Sequence, residues 1–167
     1  MKRSFILVFA CFLFFSCSDS QENSENLKSV PRSEWDADNI CYINTSEIDN
    51  SIRYKRLTGT SGIIGNFEYK RTEYWNYGTC TCTDGYIFYN TGYYLDYSSG
   101  YSTSGKPYNK KKNGKFVITK YTDDHYRLDL YSESGYLDNK FFYQVSDKGI
   151  YISSSYKDSD GKEHRLN

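Results

Sequence analysis

Helical periodicity, histidine and charge imbalance are what this sequence lacks. Apolar residues almost never recur at the three- and four-residue spacing of an amphipathic helix, which argues against a helical domain. Histidine occurs only as His125 and His164, and neither an HExxH nor a GxSxG pattern is present. The usual zinc-protease and serine-hydrolase signatures are therefore missing, and a catalytic triad would have to be assembled by the fold alone. Basic and acidic residues balance at 21 each, so no global field steers the chain toward nucleic acid. Proline stands only at Pro31 and Pro107. Long apolar runs are absent too: the longest, residues 5–15, falls short of the roughly 20 residues a spanning helix needs.

That short run has a different meaning. Lys2 and Arg3 precede it and the small Ser16 ends it, the layout of a secretory signal peptide. The next residue is Cys17, and Phe14-Phe15-Ser16-Cys17 resembles the lipobox of bacterial lipoproteins, with Phe14 where that family most often carries leucine. The resemblance implies removal of residues 1–16 and lipidation of Cys17, with palmitate-type acyl chains on the new N-terminus. Each buried methylene contributes about 0.8 kcal/mol and a single chain binds only reversibly, so two or more chains make attachment effectively permanent. Ser18 in place of an aspartate after the cysteine implies the outer membrane. A serine-acid start is similar to some surface-export signals, so the expected location is a lipid anchor facing the periplasm or the cell surface.

Residues 17–39 read as the lipidated cysteine and a polar tether, too poor in apolar residues to offset their ordering entropy. Trp35 is the exception within them. Beyond it, residues 40–167 are expected to form a single domain, and aromatic residues dominate: the chain holds 19 Tyr and 10 Phe. Such residues suit a pleated, half-buried surface. From His125 to Tyr131 the chain alternates, putting Tyr126, Leu128 and Leu130 on one face and Arg127 and Asp129 on the other. Lys115 to Tyr121 reads as a strand paired to it through a short polar turn. Lys140 to Ser146 and Gly149 to Tyr156 form a second hairpin around Asp147-Lys148. Shorter strands are expected at 65–71, 79–83, 86–90 and 92–97.

The fold class is all-β and mainly antiparallel: a small barrel or sandwich, compatible by analogy with a lipocalin-like barrel, with at most one short helix. That helix would begin at the capping pattern Ser46-Glu47-Ile48-Asp49, against a competing strand over 52–57. Residues 98–114 read as a long charged loop.

Several constellations bear on chemistry. Gly100 to Lys106 has the spacing of a phosphate-binding loop, but Pro107 stands where the magnesium-ligating hydroxyl belongs, so it is a decoy. Lys106, Lys110, Lys111, Lys112 and Lys115 form a basic cluster that would meet a polyanion or, more simply, solvent. Cys80 and Cys82 share one face of a strand. A disulfide between them would be strained, so Cys41 paired with one of them is the expected bridge, with a soft-metal site from the three as the alternative. Tyr86, Phe88, Tyr93, Tyr94, Tyr97, Phe141, Phe142 and Tyr143 are the candidates for lining a ligand cavity or stacking on sugars, or else for an ordinary core. The carboxylates Asp123, Asp124, Glu133 and Asp138 fall in expected turns.

No cofactor, no resident metal and no catalytic residue is indicated. The expectation is a non-catalytic envelope lipoprotein that binds a small apolar ligand or a glycan, or meets an envelope protein through an exposed tyrosine-rich face. An apolar ligand requires an enclosed aromatic cavity; a protein-binding role requires a filled core and an exposed apolar patch.

Overall fold

A computed structural model describes residues 28–35, 51–75, 78–102, 104–121 and 125–166. Eight strands close into an antiparallel barrel: β2 (Ile52–Thr58), β3 (Gly65–Trp75), β4 (Gly78–Phe88), β5 (Tyr93–Tyr101), β6 (Pro107–Lys120), β7 (Tyr126–Ser132), β8 (Leu137–Ser146) and β9 (Gly149–Ser153). Each pairs with the next in sequence, and β9 returns to β2 through Ile52↔Ile152 to Lys55↔Gly149. An even number of up-and-down strands is what lets the last run antiparallel to the first, and closure removes the sticky edges of an open sheet. A two-residue strand, β1 (Lys28–Ser29), adds to β6 beyond the end of β5. The hairpin of β10 (Ser155–Lys157) and β11 (Glu163–Arg165) lies outside the barrel.

The strand reading over 52–57 is the one realised, as β2, and no α-helix occurs among the described residues. The capping pattern at 46–49 lies outside them. The expected strands at 79–83 and 86–90 are one continuous β4. Residues 98–114 are no loop. Residues 98–101 end β5 and residues 107–114 begin β6, paired from Ser98↔Lys110 to Tyr101↔Pro107 across a short turn. Pro107 is tolerated because it opens its strand. Asp147-Lys148 makes the two-residue turn of β8–β9 as expected.

Phe67, Phe88, Phe116, Ile118, Leu128, Leu130, Val145 and Ile150 fill the interior. One end is plugged by a segment read from composition as tether. Trp35 follows the 3₁₀ turn Arg32–Glu34, its ring 4.7 Å from that of Phe116, and its backbone carbonyl accepts from Ile63 N–H at 3.1 Å. Val30 and Trp35 are both buried in the core. Polar composition around a single tryptophan hid an ordered plug, because one large ring buries enough apolar surface to hold a short segment down. Arg56 seals the same end, donating to the carbonyls of Gly62, Ile64 and Ser146 with its guanidinium 4.7 Å from the Phe67 ring.

Candidate functional site

The inward faces of neighbouring strands change character at one level. Along β4 they read Phe88, Tyr86, Asp84, Cys82 and Cys80, and register aligns β3 with Phe67, Tyr69, Arg71 and Glu73. On β5 Tyr94, Asp96, Ser98 and Gly100 follow, facing Gly114, Lys112, Lys110 and Tyr108 of β6. The plugged end is thus apolar and the opposite mouth charged.

Three carboxylates, Asp84, Asp96 and Asp138, lie within electrostatic reach of one another there. Arg71 bridges Asp84 and Glu73. Asp138 reaches Lys112 at 2.8 Å. Its position comes from a bulge, since Leu130 pairs with Asn139 but Tyr131 with Leu137, leaving Asp138 as the extra residue. Bulges at barrel rims re-aim side chains in this way. Beneath lies Tyr94, whose ring occupies the space over Gly114; a Cβ there would sit 2.6 Å from that ring and 2.0 Å from the Tyr131 carbonyl oxygen.

Burial shapes the titration of this layer. It pushes the phenols of Tyr54 and Tyr94 up to about 12 and raises that of Tyr86 as well. Asp96 is raised from the ordinary carboxylate value, first by burial and then by Asp84 and Asp138, with Lys112 opposing. A raised folded-state value means that ionised Asp96 opposes folding. The penalty is absent below the ordinary carboxylate pKa, grows as pH rises from there through the raised value, and is complete above it. Asp96→Asn is therefore expected to raise the melting temperature at pH 7 and to leave it unchanged at pH 3; calorimetry at the two values checks this, and no difference between them would remove Asp96 from the buried layer.

Of the cavity candidates, Tyr86, Phe88, Tyr94, Phe141 and Tyr143 do come together, as barrel core. Their interior is packed: the gap bounded by Tyr86, Phe88, Leu128, Leu130, Phe141, Ile150 and Ile152 holds no water-sized space. Phe142 faces outward, against Tyr156 at 4.5 Å between centroids. Tyr93 is exposed, beneath Lys115. Tyr97 lies on the outer face over Gly85, donating to Asn66 Oδ1 at 3.1 Å. The basic cluster is divided by strand alternation. Lys110 and Lys112 share the mouth face, Lys111 and Lys115 take the outer face, and Lys106 stands in the turn. The decoy stretch, likewise, runs from β5 into that turn. On the outer surface a half-open cleft of about 320 Å³ lies where β2 and β3 diverge, lined by Arg53, Lys55, Leu57, Glu68, Tyr69 and Lys70.

Cys80 and Cys82 do share a face, with Sγ atoms 3.8 Å apart, and both are thiols. Cys17, Cys41, Asp123 and Asp124 lie outside the described residues. No cluster of three or more His, Cys, Asp or Glu side chains suited to a metal occurs among the described residues.

Asp84 and Asp96 were missed by sequence reasoning, as were Tyr74, 82% exposed, and Tyr136, 75% exposed, which with Tyr101 beside the basic cluster stand on the three hairpins at the mouth end of the barrel. The parity of Asp84 with Tyr86 and Phe88, and of Asp96 with Tyr94, was the available signal. Comparison with family models, curated proteins and solved structures found no match.

Proposed function

We propose that this chain is an outer-membrane lipoprotein, held by lipidated Cys17, whose barrel serves without catalysis as a binding module for a glycan at its mouth. One observation carries the reading: a packed interior beneath a rim that combines carboxylates, cations and exposed tyrosines. An apolar ligand needs an enclosed cavity, and the gap among the core aromatics Tyr86, Phe88 and Phe141 holds no such space. Sugars need the reverse, hydroxyl-matching carboxylates and cations beside aromatic faces. Asp84, Asp96, Asp138 and Lys112 supply the first; Tyr74, Tyr101 and Tyr136 supply exposed rings on the three hairpins at the same end of the barrel.

The protein-binding reading keeps one specific support. Exposed tyrosines at hairpin ends are also what a protein interface uses as anchors. A native mass spectrum of the chain extracted gently from its own envelope separates the two. The glycan reading expects a carbohydrate adduct, lost on denaturation and absent from Asp84→Ala and Lys112→Ala. A clean apo mass together with a co-purifying polypeptide would replace it with the protein-binding reading. In the same preparations Cys17→Ala should leave the membrane fraction; if it stayed there, the anchor would be lost as an idea.

A further inference from the structure

We propose that Cys80 and Cys82 form a two-thiolate seat for a cuprous ion. They occupy successive inward positions of β4, which sets the sulfurs 3.8 Å apart. With metal–sulfur bonds of about 2.3 Å, that separation subtends about 111° at the ion. Such an angle is a bent two-thiolate bite with room for an external third ligand. Structural zinc would want four protein ligands, and no third His, Cys, Asp or Glu completes a cluster among the described residues. Soft thiolates favour Cu(I), which is content with fewer donors.

A disulfide between the pair competes poorly. Residues two apart on a strand have Cα atoms about 6.4 to 6.8 Å from each other, at the limit of what a disulfide spans, and their Cβ bonds run side by side. The neighbouring strand is shaped around the sulfurs. A Cβ at Gly100 would lie 2.7 Å from Cys82 Sγ, so glycine leaves that thiol its place. Arg71, opposite Cys82 in register, places its guanidinium beside the pair while bridging Asp84 and Glu73. Binding replaces two S–H bonds by two S–Cu bonds and releases two protons to water. The resulting bis-thiolate complex carries one negative charge, and no oxidation or reduction is involved.

The test is an anaerobic titration of the reduced full chain with Cu(I), in competition with bathocuproine disulfonate, read by the absorbance of the copper–chelator complex. The expected result is one copper withheld per chain, lost in Cys80→Ser and in Cys82→Ser, and retained in Cys41→Ser. Gly100→Ala should weaken binding about tenfold, as groups that position a ligand usually do. Circular dichroism checks each fold, and Cys80→Ser is the deciding variant, because Cys80 is part-exposed whereas Cys82 is buried. No copper withheld, copper retained by Cys80→Ser, loss in Cys41→Ser, or equal retention of Zn²⁺ would each overturn the seat.

Discussion

Phe88→Ala is expected to destabilise the protein by about 3–5 kcal/mol, the range for removing a fully buried aromatic ring. Phe88 is 2% exposed and packs against four rings, those of Phe67, Tyr86, Tyr94 and Phe116, the last edge-on at 5.1 Å between centroids. A barrel wall is a hydrogen-bonded hoop, so it collapses little when one side chain is withdrawn, and the void keeps most of its volume. Urea unfolding measures the loss. Tyr93→Ala is the control, only five positions away but exposed, and should stay within about 0.5 kcal/mol. A Phe88 penalty below about 1 kcal/mol would mean that the interior has slack, and would reopen the question of an enclosed ligand.

Asp129→Ala should cost a similar 3–5 kcal/mol for an opposite reason, since it leaves a charge stranded rather than a hole. Asp129 is 2% exposed on the outer face of β7 and accepts from Arg127 Nε at 2.6 Å, from Arg127 Nη2 at 2.9 Å and from Thr119 Oγ1 at 3.1 Å. Arg127 is itself buried, across the strand pair from Phe142. Removing the carboxylate leaves the guanidinium desolvated and uncompensated. The double variant Arg127→Met/Asp129→Leu should recover most of the loss, because a buried pair replaced by apolar groups is often neutral or better. Thermal unfolding of the two variants decides; a double variant as weak as the single one would assign the loss to packing.

Alternation made the strands of the closed barrel legible, because each has one dry face and one wet face. The strand from Tyr126 and the turn at Asp147-Lys148 were readable for that reason. It failed at residues 107–113, where the first half of β6 is exposed at nearly every position. That hairpin arm is wet on both faces, so no pattern of burial is written into it. Its extended form comes from β5 alongside. Of the mouth, the thiol pair was visible as a spacing, whereas Asp84 and Asp96 required noticing acids at positions whose parity promised apolar residues. Register alone then brought them together from different strands with Lys112 and Asp138.

Closure of the barrel also has a temporal side. Ile52 meets Ile152, a hundred positions along the chain, so the seam between β2 and β9 forms only when nearly all of the sequence is available. Until then β2 and β8 each present an unpaired edge. If the chain is exported and lipidated as proposed above, its N-terminal end would arrive long before the last stave of the barrel. Pairings so distant in sequence close slowly. The interval between arrival and closure is when an escorting factor would matter most.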